Sequence, residues 1–369
     1  MNVVIIGCGV VGAAIAYELS QVKGLKITVI DRQPPAQAAT GAALGVLMGV
    51  ISQKIKGRAW QMRQTSIQRY ETLIPELESL TGHQIPFNRQ GILSLCLEEE
   101  NFSTWENLVE IRHSQGWELE IWDTTKLKKF CPQVNNTKIT GAIYSPQDRQ
   151  IDPTALTLAL IASAQRKDVS FKFGVNVLDI PTPTRNNQEE PAKCTSLETT
   201  AGKIPADWIV IAAGLGSTLL TAQLNQIIDI RPVLGQALQV HLGYPLGNPD
   251  FQPAITGNDV HIVPVGGKDY WIGATVEFPN NGDEITPHQE LLESVKQQAI
   301  AFCPELATAT IIRTWSGLRP RPEGRPAPVI GELPGFSNVL LATGHYRNGI
   351  LLAPATAGAI REKIISKDS

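Results

Sequence analysis

The chain has no C-x-x-C pair, no H-x-x-x-H pair and no uninterrupted run of about 18 apolar residues. Its five cysteines (Cys8, Cys96, Cys131, Cys194, Cys303) are scattered and odd in number. That pattern argues against a disulfide framework or a zinc site and for free thiols in a reducing, cytoplasmic setting. Without closely spaced histidines no metal site is expected. Without a long apolar run no membrane span is expected. Charge of one sign is also missing: 32 Lys and Arg face 35 Asp and Glu, a net charge of -3. Neither nucleic acid nor an anionic membrane surface is therefore an expected partner. No basic segment precedes the first apolar stretch, Val3 to Ala16, and glycines interrupt it. It reads as strand and helix, not as a signal peptide. There are no internal repeats or low-complexity tracts.

What remains is an ordinary globular composition, 43% hydrophobic and 18% charged in 369 residues. Two domains are the natural expectation at that length. Residues 2–6 form an apolar strand, Val10–Gln21 a helix and Lys26–Ile30 a second strand, a β-α-β unit with parallel strands. Residues 57–81 repeat apolar positions at helical spacing. Gly91–Leu97 and Leu119–Trp122 read as strands flanking a helix over Glu99–Gln115. Asp152-Pro153 opens another helix, and Val169–Phe173 and Trp208–Ala212 return to apolar strands. Short β-rich segments fill Gly235 to Thr275, then a helix over 285–302 and a strand over Thr310–Trp315. The chain closes with a strand at Val339–Thr343 and a helix from Ile350 to Ile365. The polar stretches 181–193 and 279–284 read as loops. Parallel-type units at both ends and in the middle, with antiparallel texture between, predict two interleaved, discontinuous domains.

The chemistry-bearing motif is Gly7-Cys8-Gly9-Val10-Val11-Gly12, set between strand and helix. Gly7 permits the turn, Gly9 lets a pyrophosphate approach and Gly12 lets the helix pack closely. The helix start offers N–H groups and a positive dipole end. Asp31, with Arg32 beside it, ends the second strand where an acid meets a ribose. This combination predicts a dinucleotide without choosing between NAD and FAD. Two further segments favour FAD. Thr40-Gly41-Ala42-Ala43-Leu44-Gly45 is a small-residue stretch against which a long cofactor could lie. Far along the chain, Ala342-Thr343-Gly344-His345-Tyr346-Arg347-Asn348-Gly349-Ile350 is again strand, glycine turn and helix start, able to stabilise negative charge on a reduced flavin. FAD is long enough to meet both. Ile209–Gly214, a strand ending in Ala213 and Gly214, fits a third close approach.

These residues resemble the D-amino-acid-oxidase superfamily of flavoproteins, and within it the glycine oxidases of thiamine biosynthesis. The similarity spans nearly the whole chain. Its most specific pieces are Gly344 to Thr356 and Trp315-Ser316-Gly317-Leu318-Arg319-Pro320. The resemblance implies an α/β protein: a Rossmann-like FAD-binding domain of the glutathione-reductase type (1–80, 146–230 and 320–369), interleaved with an antiparallel-sheet α+β substrate domain (81–145 and 231–319). It implies non-covalent FAD, since no cysteine lies near the C-terminal flavin motif. It implies Arg319 at the substrate carboxylate, Gly45, Val46 and Leu47 beside the isoalloxazine ring, and Arg347, Asn348, Gly349, Ile350 and Leu351 around the flavin pyrimidine edge. Val177 would contact the adenine through its backbone. His261 stands where a family tyrosine approaches the carboxylate, and Val276 and Val46 stand where pocket methionines do.

The activity so implied is oxidation of a small amino acid, glycine foremost, by hydride transfer from Cα to flavin N5, with dioxygen as acceptor. Orientation and flavin electronics suffice, so no side-chain base is required. A D-amino acid oxidase or dehydrogenase, or a sarcosine or other N-methyl amino acid oxidase, fits the same scaffold. A nicotinamide-dependent dehydrogenase and a non-catalytic flavin module are the readings from other classes. A homo-oligomer is expected from the family. From its residues alone Arg319 would follow an apolar strand and project from the strand's end, where a structural salt bridge is an ordinary role. Strand alternation sets the His261 side chain opposite Val260 and Ile262, which leaves both a substrate contact and a satisfied sheet histidine open. Arg347 either contacts the flavin region or caps a helix.

Overall fold

The computed structural model describes residues 1–98, 102–182, 190–279 and 285–367. The first residues of the helix expected over 99–115 lie outside them, and the observed helix is Phe102–Ser114. Of the stretches expected as loops, 183–189 and 280–284 also lie outside the described residues.

Six strands form one sheet, in the order Val329–Glu332, Val339–Thr343, Trp208–Ile211, Asn2–Ile6, Lys26–Asp31 and Ser170–Phe173. All neighbours run parallel except the edge strand Val329–Glu332. Its inner strands are continuous apolar runs because elements cover both faces; every residue of Trp208–Ile211 and Val339–Thr343 is buried. The helix Val10–Ser20 is buried almost all round. It packs between the helices Pro153–Gln165 and Gly349–Ser366. The start of the first of these follows its sequence signal. Asp152 accepts the amides of Thr154 (2.8 Å) and Ala155 (2.9 Å), with Pro153 in the first turn. The helix Gly57–Thr81 matches the expected span and ends on Gly82, which is left-handed.

Eight strands form the second sheet: Thr310–Pro322, Ile230–His241, Asp269–Gly273, Val260–Pro264, Ala254–Gly257, Ile92–Leu97, Ile139–Ser145 and Glu120–Asp123. Only Ile92–Leu97 beside Ala254–Gly257 is a parallel pair. The architecture is the mixed α/β fold expected, a parallel Rossmann-like sheet interleaved with an antiparallel one.

The two longest strands differ from expectation. Ile230–His241 and Thr310–Pro322 pair over nearly their whole length, where the sequence predicts short segments and a strand ending at Trp315. Gly235, Gly317 and three prolines read as breakers in sequence. Thr310–Pro322 tolerates its prolines because it is the edge strand. Arg319 is thus not at a strand end; it sits inside the strand, opposite Val233.

Two buried charged side chains fix the backbone of residues 49–54. Asp148, fully buried, accepts the amides of Gly49, Val50 and Ile51, each at 2.8 Å. Arg112, also fully buried, donates to the carbonyls of Val50, Ser52 and Lys54 and lies 3.7 Å over the Trp60 ring. An Asp148→Ala variant leaves the buried amides of Val50 and Ile51 unpaired, at about 1–3 kcal/mol each, and leaves Gly49 only its 3.2 Å bond to the Leu47 carbonyl. Thermal unfolding of the variant is expected to show a melting temperature lower by at least 5 °C or so; an unchanged value would remove Asp148 from this role.

Candidate active site

The first helix start is shaped by glycines. Gly7 has φ +104°, and a side chain there would overlap the Ala212 carbonyl. A Cβ on Gly12 would overlap the Gly7 carbonyl oxygen. Gly9 differs: a Cβ there would meet only the Thr40 hydroxyl, at 3.0 Å, so this glycine faces a space and not a wall. The helix has no side-chain cap. The Val10 amide donates to Thr40 Oγ1 (3.1 Å), and Ala13 makes the first intrahelical bond, to Gly9 (2.9 Å). The Val11 and Gly12 amides are donors of the kind a helix leaves for an anion. Asp31 accepts the Cys8 amide (2.6 Å) and the Gln33 amide (2.9 Å), and Arg32 is exposed beside it. Val175 N donates to Asp31 O (3.0 Å), which brings Val177 to the same end of the sheet.

The second helix start is Gly349–Ser366. It too has no side-chain cap. Gly344 and Tyr346 are left-handed, with φ of 65° and 54°. A Cβ on Gly349 would meet only His345 Cβ, at 3.7 Å. Tyr70 holds the Ile350 carbonyl at 2.5 Å, and Leu351 is buried in the core. His345 is buried against Thr356 Oγ1 (3.0 Å). Ser217 donates to Thr343 Oγ1 (2.8 Å), which donates to the Gly214 carbonyl (3.2 Å), so the turn through Ala213 and Gly214 is tied to the same place. Two uncapped helix starts with small-residue walls between them fit a long dinucleotide.

The segment from Thr40 to Leu47 bridges the two sheets. Leu47 turns into the core of the first sheet. Leu44 and Val46 pack instead against Ala237, Val263, Trp271 and Trp315 of the second. Gly45 is left-handed, and a side chain there would overlap the Ile151 carbonyl. Trp315 Nε1 donates to the Ala42 carbonyl (3.1 Å), and a Cβ on Gly317 would run into Ala42; Ala43 N bonds back to Thr40 O. Trp315, Gly317 and Arg319 alternate along one strand, so all three face the side of the sheet on which Ala42 lies.

Arg319 Nη1 donates to the carbonyls of Leu234 (3.1 Å) and Thr275 (3.0 Å). Its Nε and Nη2 make no hydrogen bond to another described residue. Burial draws this guanidinium below the usual arginine value, and the Arg347 charge acts the same way; Tyr346, Asp259 and Glu277 oppose it. His261 is half-buried, with Nδ1 buried and unpartnered. Burial first, then Arg347 and Arg319, push its pKa down to about 4 against the opposing pull of Asp259. Arg347 is paired with Asp259 (3.2 Å), on the turn before the His261 strand. The structure therefore gathers Arg319, His261 and Arg347 in one electrostatic neighbourhood. Arg347 is not a helix cap; its partner is a carboxylate of the other sheet. Asp259 went unanticipated, because nothing local in Asn258-Asp259 signals a distant arginine.

His261 and His345 are both held near pKa 4, below the ordinary 6.5. A depressed histidine adds stability that is present above pH 6.5 and lost as pH falls toward 4. Unfolding free energy is expected to drop over that window by about 1.4 kcal/mol per pH unit for each ring. Denaturant titrations at several pH values check this, and His345→Gln is expected to flatten the slope. An unaltered slope in that variant would contradict it.

A parallel sheet bearing two helix starts without side-chain caps, beside an arginine-bearing antiparallel sheet, is the arrangement of a dinucleotide-dependent oxidoreductase. The family model described as DAO, FAD dependent oxidoreductase, matches residues 2–363, and the chain belongs to that family. FAD is accordingly its cofactor. The chain is 30% identical to the bifunctional protein ThiO/ThiG of Trichormus variabilis, covering 100% of this chain and 53% of that one. It thus spans about half the length of that relative. It is 26% identical to the glycine oxidase of Geobacillus kaustophilus, covering 100% of this chain and 94% of the other. The crystal structure of glycine oxidase from Bacillus cereus superimposes with a TM-score of 0.86 at 27% identity, over 100% of this chain and 96% of that one. No helix among the described residues is long and apolar enough to cross a membrane.

Proposed function

We propose that this chain oxidises the Cα–N bond of a small amino acid, glycine foremost: glycine, dioxygen and water give glyoxylate, ammonia and hydrogen peroxide through the imine. The observation that carries the proposal is Arg319, anchored through Nη1 with Nε and Nη2 left over, on the side of the sheet on which Ala42 lies. A guanidinium fork matches a carboxylate in geometry and charge. Bound FAD supplies the two-electron acceptor for the Cα hydride.

In this proposal Arg319 holds the substrate carboxylate. His261, neutral at working pH, adds no charge beside the anion, and its half-buried ring borders the same neighbourhood. Arg347, already matched by Asp259, adds positive potential without competing fully for the anion. The amides at Val11 and Gly12 take the pyrophosphate, with Val10 beside them held to Thr40 Oγ1, Asp31 takes the ribose and Val177 the adenine. Gly45, Val46 and residues Arg347 to Leu351 border the ring system. The proposal includes the domain division 1–80, 146–230 and 320–369 against 81–145 and 231–319, a cytoplasmic setting and a homo-oligomer. Exposed Ile311 and Ile312 on the edge strand are a surface that such an assembly would cover. Relatives named glycine oxidase support glycine as the first substrate to test. Oxygen uptake with glycine, sarcosine and D-alanine is the test. Highest kcat/KM with glycine is expected; turnover of D-alanine or sarcosine alone would move the substrate assignment to that compound.

A further inference from the structure

Gly235 lies in the interior of the strand Ile230–His241, opposite Gly317. Its backbone is not left-handed, so no turn or strain requires a glycine there. Glycine inside a strand weakens it, and its presence calls for a reason of space. That reason is Arg319. A Cβ on Gly235 would fall under 3.0 Å from Nη1, Nη2 and Cζ of Arg319 at once. Three atoms of a flat group at nearly equal distance from one point place the guanidinium plane across the glycine, not end-on to it. Nη1 is meanwhile fixed by the carbonyls of Leu234 (3.1 Å) and Thr275 (3.0 Å).

We propose that Gly235 is a positioning residue: its missing side chain is the berth in which the Arg319 guanidinium lies flat, so that two carbonyls fix Nη1 while Nε and Nη2 remain for a carboxylate. This rests on Arg319 as the carboxylate anchor. A methyl at 235 forces the guanidinium to move by on the order of 1 Å, a displacement that costs up to about 100-fold in a positioned site. Such a shift also breaks the bonds to Leu234 and Thr275, so the arginine loses its place and not only its packing.

The test uses the flavin-loaded enzyme, with acetate titrated against the flavin absorbance as the carboxylate probe. In Gly235→Ala the acetate Kd and the glycine KM are expected to rise at least about tenfold with FAD content unchanged. In an Arg319→Ala background the same change is expected to add less than about twofold, because the group it displaces is gone. If Gly235→Ala binds acetate like the wild type while Arg319→Ala does not, the positioning role is overturned and the anchor stands. If Arg319→Ala binds acetate like the wild type, the anchor itself fails. Should Gly235→Ala fail to fold alone yet fold when combined with Arg319→Ala, the berth is supported. Failure to fold in both backgrounds overturns it, since the glycine would then serve the strand and not the arginine.

Discussion

Arg319→Ala is expected to weaken substrate and acetate binding by about 10- to 150-fold while FAD stays bound. The estimate follows from a charge-assisted hydrogen bond being worth about 1.5–3 kcal/mol, with each 1.4 kcal/mol a factor of ten. Two features make the loss specific. Nη1 is bound to main-chain carbonyls, so the guanidinium has a fixed place before any ligand arrives. The neighbouring cation, Arg347, is engaged with Asp259 and cannot fully substitute. The two helix starts lie on other elements, so the cofactor does not depend on this side chain. Steady-state kinetics and a flavin-monitored acetate titration measure the effect. Wild-type constants in the variant would detach Arg319 from the carboxylate.

Gly12→Ala is expected to produce a protein with FAD affinity lower by up to about 100-fold, pale or colourless as purified. The added methyl would overlap the Gly7 carbonyl oxygen, which is main chain and cannot rotate away. Gly7 is itself pressed against Ala212 at the end of the neighbouring strand. The turn must therefore open, carrying the first-turn amides with it. Overpacking of this kind costs about 1–3 kcal/mol. Gly358→Ala is the matched control, because a Cβ there meets nothing within 4 Å. It is expected to keep full FAD content and to gain slightly in stability, by up to about 1 kcal/mol. The flavin-to-protein absorbance ratio of the two variants decides the matter; equal ratios would refute the role given to Gly12.

The glycine turns proposed to hold the cofactor are legible in sequence because their signals are local. A strand, Gly7 to Gly12 and a buried helix occupy consecutive residues, and so do Thr343, Gly344 and the helix from Gly349. Local backbone chemistry sets each of them. The sheet proposed to meet the substrate is built across strands, and sequence patterns carry little of that. Gly235, Gly317, Pro320 and Pro322 read as breakers, yet two strands of twelve and thirteen residues run through them. The edge position excuses the prolines and the arginine excuses one glycine, and neither fact is visible before pairing is known. The same holds for Asp148, whose three amide partners lie nearly a hundred residues away. Asp259 is another case: its charge matters only because the fold brings it to Arg347. Arg319 stands out in sequence only through a family motif, and its place inside a strand follows only from the paired sheet.

Anaerobic mixing of the flavin-loaded protein with glycine tests the central claim most directly. The account predicts that the visible flavin absorbance bleaches, with a dependence on glycine concentration that Arg319→Ala shifts upward. Flavin that stays oxidised with glycine, sarcosine and D-alanine alike would contradict it.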